Sequence, residues 1–100
     1  LMTGTEFEHF IALLFSKMGY ETEVTKATGD QGIDVIASKN GKKIGIQAKC
    51  YSNSVGNSAI QEVVAGKNYY RLDKAVVITN NYFTESALQL AKSNEIIFKK

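Results

Sequence analysis

Apolar residues at helical spacing open the chain. Phe7, Phe10, Ile11, Leu14, Phe15 and Met18 recur three and four residues apart, predicting a helix over roughly residues 5–18 that stops at Gly19. Tyr20, Thr22 and Val24 then alternate with Glu21, Glu23 and Thr25, a strand pattern. Thr28-Gly29-Asp30-Gln31-Gly32 has the composition of a turn. Strands follow from Ile33 to Lys39 and from Lys42 to Cys50, joined by Asn40-Gly41, a strong two-residue hairpin signal. After a polar loop from Ser52 to Asn57, Ser58-Ala59-Ile60-Gln61 fits a capping box and opens a helix to about Tyr70. Ala75–Ile78 is a short apolar run typical of a buried strand, Thr84–Ser93 a helix, and Ile96–Phe98 a last strand.

The expected order is αβββαβαβ. The hairpin makes the second and third strands antiparallel, and the helical crossover to Ala75–Ile78 predicts a parallel neighbour. The fold class expected is α/β, a mixed central sheet with helices on both faces. At 100 residues the chain reads as one domain, residues 1–100, and it is compatible with an excerpt of a longer protein.

The hairpin also sets what lies opposite what. A two-residue turn pairs Lys39 with Lys42, and therefore Asp34 with Gln47 and Gly32 with Lys49. Asp34, Gln47 and Lys49 are expected on one face, with Ile44, Ile46, Ala48 and Cys50 on the other. A carboxylate, an amide and an ammonium held this close suit a divalent cation and a phosphate. A cross-strand Asp–Lys ion pair on a solvated face accounts for the same residues, and geometry leaves the two readings level.

Composition narrows the chemistry. One cysteine, Cys50, excludes an intramolecular disulfide and a cysteine-based zinc site, which fits a reducing, cytoplasmic setting. One histidine, His9, excludes a two-histidine mechanism and reads as a surface helix residue. No apolar run approaches a membrane span. Net charge is +2, but residues 1–37 carry two Lys against six acids, while residues 38–74 carry six Lys and one Arg against two acids. The basic middle is compatible with a phosphate partner or simply with a solvated surface.

Gly29-Asp30-Gln31-Gly32-Ile33-Asp34-Val35 followed by Ile46-Gln47-Ala48-Lys49-Cys50 resembles the signature of the Mrr-like restriction endonucleases, within the PD-(D/E)xK nuclease group. Thr3-Gly4-Thr5-Glu6-Phe7-Glu8, Met18-Gly19-Tyr20, Val63-Val64-Ala65-Gly66-Lys67 and Val77-Ile78-Thr79-Asn80 extend the resemblance over nearly the whole chain. It implies a restriction-endonuclease-like three-layer α/β/α sandwich that cuts DNA phosphodiesters with Mg2+, Mn2+ being able to substitute. Asp34 would be the principal metal ligand. Gln47, where other members carry an acid, would bind through its amide oxygen, and the Ala48 carbonyl would be a further ligand. Lys49 would orient or polarise the attacking water. Glu8 matches the family's helical acid, although a capping box with Thr5 explains it without chemistry.

Asp30 reads as a turn residue and Cys50 as a small core residue. Asn57 and Gln61 are expected to contact the DNA backbone from a helix start. Tyr69-Tyr70-Arg71 reads as packing rather than a nucleic-acid patch. No recognition element is visible, so sequence specificity would come from a part outside this chain or from a partner, and a homodimer would supply one cut per strand. A non-cleaving nucleic-acid-binding module on the same fold is the alternative reading.

Overall fold

A computed structural model describes residues 3–25, 32–49, 56–79 and 82–99, except for the side chain of Lys49. The elements are α1 (Gly4–Lys17), β1 (Glu21–Val24), β2 (Val35–Lys39), β3 (Lys42–Lys49), α2 (Asn57–Tyr69), β4 (Lys74–Thr79), α3 (Glu85–Ser93) and β5 (Ile97–Lys99). This is the expected order. One five-stranded mixed sheet runs β1-β2-β3-β4-β5, antiparallel across β1, β2 and β3 and parallel across β3, β4 and β5.

Two apolar cores make the fold three-layered. On one face α1 places Ile11 and Ala12 against Val35, Ala37, Ile46, Ala48 and Val76. On the other, Ala59, Ile60 and Val63 of α2 and Ala87 and Ala91 of α3 pack on Ile33, Ala75 and Val77. Strand alternation sorts β3 accordingly: Ile46 and Ala48 face α1, whereas Gly45 and Gln47 face α2. Gly45 is required there, because a Cβ would land on Leu72 Cδ1 and press Ile33 Cδ1.

The helix starts differ from their expected positions. Thr3, not Thr5, caps α1. Its hydroxyl accepts from the Glu6 N–H at 3.1 Å, and Glu6 Oε1 accepts from the Thr3 N–H at 2.9 Å. Those bonds, the backbone one foremost, hold the Glu6 carboxyl below its ordinary pKa of 4.5. Glu8 is therefore not in a capping box. The Ser58–Gln61 box also fails: Gly56, in extended conformation, is the N-cap of α2 and gives no side-chain bond. The chain is already helical at Asn57, which puts Ser58 too far inside to cap. Gly19, at φ +94°, ends α1 as expected. His9 is exposed on α1. Tyr70 is partly buried against the α2 core and meets Tyr69 edge-on at 4.9 Å, which agrees with a packing role.

Among the described residues no helix is long and apolar enough to cross a membrane. Asp30, Cys50 and the residues Ser52–Val55 of the polar loop lie outside the described residues.

Candidate active site at the carboxyl end of β3

Asn40 and Gly41 both adopt positive φ, 54° and 77°, as the tight hairpin turn demands. The pairing they set holds from Lys39–Lys42 to Val35–Ile46, as expected. It breaks at the next residue. The Asp34 N–H donates to Ile46 O at 2.8 Å, so Asp34 and Val35 both lie against Ile46. Two residues opposing one is the pattern of a β-bulge, which re-aims the side chain it carries. This is why β2 begins at Val35 rather than Ile33, and why Asp34 has no regular partner in Gln47.

The bulge turns the Asp34 carboxylate toward the β3 backbone. Asp34 Oδ2 accepts from the Ala48 N–H at 2.8 Å, standing in for a backbone acceptor that β2 no longer supplies. On the other side, the Asp34 carbonyl accepts from the Thr25 N–H at 2.8 Å, and the Thr25 hydroxyl donates to Ile33 O. Asp34 is thus fixed from both neighbouring strands and remains only partly buried. The amide and carbonyl of one strand residue point the same way, so the Ala48 carbonyl also looks toward the β2 side.

Gln47, one residue earlier, points into the α2 layer. It is 1% exposed, and its Oε1 is buried with no hydrogen-bond partner. A buried polar atom in that state costs about 1–3 kcal/mol and calls for an explanation. Thr79, paired with Lys49 across β3 and β4, is buried close by in sequence register.

Topology brings further residues to this end of the sheet. The connection from β3 to α2 starts α2 at the carboxyl ends of β3 and β4, where Asn57 and Gln61 lie exposed on its first turns. Gly32, at φ +63°, sits so close to α2 that a Cβ would strike the Glu62 backbone. The segment leading to Asp34 is therefore held against α2. The C-terminus of α1 meets the opposite, hairpin end, where Lys39 Nζ donates to Met18 O at 3.1 Å. The N-terminal half of α1, with Glu8, consequently lies toward the Ala48 end. Glu8 is half-buried and stands in one stripe with Ile11, Ala12 and Phe15, the stripe that faces the sheet.

The structure thus joins Asp34 directly to Ala48, with Gln47 adjacent on β3 and Lys49 next along the same strand. Glu8 lies in the opposite layer, and Asn57 and Gln61 lie on the solvent side of α2. The orphaned Gln47 Oε1 was not foreseeable as such; its residue was, from the hairpin register. Among the described residues no three His, Cys, Asp or Glu side chains cluster.

Comparison with known proteins agrees with this architecture. A family model, Mrr_cat, described as restriction endonuclease, matches residues 1–99. The type IV methyl-directed restriction enzyme EcoKMrr of Escherichia coli is 30% identical over 102 residues, covering 94% of this chain and 34% of that protein. An uncharacterized protein, y4cE, of Sinorhizobium fredii is 33% identical over 85 residues, covering 74% of this chain and 22% of the relative. The chain therefore spans about a fifth to a third of the length of these relatives.

Solved structures share the fold. A protein of unknown function, AF1548, superposes with a TM-score of 0.76 at 22% identity, covering 91% of this chain and 54% of the other. The DNA modification-dependent restriction endonuclease AspBHI gives 0.65 at 17% identity, covering 92% and 28%. The MspJI restriction endonuclease, solved in complex with a 27-mer oligonucleotide, gives 0.57 at 20% identity, covering 91% and 23%. With residues 1–99 matched by the family model, the chain belongs to the Mrr_cat restriction endonuclease family.

Proposed function

We propose that this chain is the catalytic domain of a DNA endonuclease that hydrolyses phosphodiester bonds with a divalent cation, Mg2+ or in its stead Mn2+. The observation that carries this reading is the buried, unpartnered Gln47 Oε1 beside the Ala48 amide that holds Asp34. Asp34, Gln47 Oε1 and the Ala48 carbonyl form an all-oxygen donor set with one negative charge. Hard cations of this size take such oxygens and keep waters for the remaining positions. A cation bound there would lower the pKa of a water and offset charge on the phosphate.

The chain's own residues do the rest. The Ala48 N–H holds the Asp34 carboxylate in one orientation. Lys49 steadies the attacking water and the negative charge that grows as water adds to phosphorus and the bond to the leaving oxygen breaks. Glu8, from the α1 side, helps position that water or a cation. Asn57, Gln61 and the N-terminal turn of α2, which has no side-chain cap, hold the DNA backbone. The oligonucleotide bound by MspJI and the name of AspBHI support DNA as the substrate. Since the relatives are several times longer, target recognition belongs to sequence beyond these 100 residues, and the cytoplasm is the proposed location.

Gln47 in place of an acid favours one other reading, a domain that binds DNA without cutting it. Supercoiled plasmid incubated with Mg2+ or Mn2+, with EDTA, and with Lys49→Ala separates the two. Metal-dependent nicking that is lost in the variant is expected. Salt-sensitive binding with no nicking under any metal would establish the binding module instead.

A further inference from the structure

The sheet-facing stripe of α1 leaves a second apolar stripe on its outer side. Phe10, Leu13, Leu14 and Met18 are 42%, 52%, 44% and 57% exposed, four of the seven large apolar side chains most open to solvent among the described residues. Scattered exposed leucines need no explanation, but a contiguous helical stripe does. Its sequence says what covers it. Glu6, Phe10, Leu13 and Lys17 follow one another at intervals of four, three and four residues, the spacing of a coiled-coil seam. The acid stands at one end, the base at the other, and both are exposed.

We infer that α1 pairs with α1 of a second copy of this chain, antiparallel, about a two-fold axis passing between residues 11 and 12. In that arrangement Phe10 of one copy packs on Leu13 of the other and Leu13 on Phe10. Glu6 meets Lys17, and Lys17 meets Glu6. Each contact occurs twice, as an isologous interface requires. Leu14 and Met18 flank the seam. The parallel alternative sets Glu6 against Glu6 and Lys17 against Lys17, so the charges select the antiparallel form. Glu6 keeps its capping bond through one oxygen and presents the other to the partner. The pairing stands on α1 alone and holds whether or not the domain cuts DNA. A single helix pair is small for an interface, so the dimer is weak and concentration-dependent.

Sedimentation equilibrium of the 100-residue chain tests it, with circular dichroism to verify that each variant is folded. The wild type is expected to shift from monomer toward dimer as concentration rises through the micromolar range. Lys17→Glu turns two attractions into repulsions and should weaken dimerisation about tenfold, as should Glu6→Lys. An equimolar mixture of the two single variants restores both charge pairs between unlike copies. It should dimerise as well as the wild type, while each variant alone dimerises about tenfold more weakly. A monomeric wild type, a dimer indifferent to both substitutions, or a mixture that stays monomeric would each overturn the pairing.

Discussion

The proposed site rests on Gln47, whose buried amide oxygen is a liability for folding. Its amide oxygen has lost water and gained no partner. Gln47→Leu removes the oxygen at nearly constant volume, so we expect equal or higher thermal stability in EDTA and loss of the metal-induced rise in Tm. Gln47→Glu should do the opposite. A buried carboxylate without a cation lowers Tm by several degrees, and Mg2+ or Mn2+ returns more than it does in the wild type. Differential scanning fluorimetry with and without metal reads both. Asp34→Asn keeps an oxygen for the Ala48 N–H. It should hold the fold within about 1 kcal/mol while weakening Mn2+ binding at least tenfold by calorimetric titration.

At the scale of elements, the hairpin was legible in the sequence and its interruption was not. Asn40-Gly41 fixes a turn, the turn fixes a register, and the register alone puts Asp34 next to β3. A count of residues cannot show that a carboxylate takes over a backbone acceptor's place, so the bulge and the late start of β2 stayed hidden. The same limit explains α2. Ser58 and Gln61 have the spacing of a cap, but the backbone had already turned helical at Asn57. Thr3 and Glu6 have that spacing too, and there the bonds form. Because they depress the Glu6 pKa, their contribution to stability is present above about pH 4.5 and fades as pH falls below it. An acid-unfolding profile of Glu6→Gln should lose that part of the slope. Gly45 is a further element-scale constraint that hydropathy does not register. Gly45→Ala should cost about 1–3 kcal/mol in urea unfolding, because Leu72 and Ile33 must give way. Leu72→Ala in the same chain should return part of it.

Seen as a whole, the molecule gathers Asp34, Ala48, Gln47, the start of α2 and the Glu8 half of α1 at one end, while α1, α2 and α3 seal both faces. The phosphate contacts proposed at that end predict that the logarithm of DNA affinity falls linearly with the logarithm of salt concentration, with a slope of about −0.9 per neutralised phosphate. Fluorescence anisotropy over a salt series measures it, and a flat response would remove the backbone contacts assigned to Asn57 and Gln61. The two borders of the sheet carry a separate consequence. β1 is four residues long and shows Glu21 and Glu23 to solvent, and β5 is three residues long and ends at Lys99. Open strand borders are where foreign chains add on and fibres begin, and brevity and charge are how proteins discourage this. At both borders an incoming strand would find few free amides and an unwelcome charge, so the domain can stay dispersed at concentrations where a longer, apolar border would polymerise.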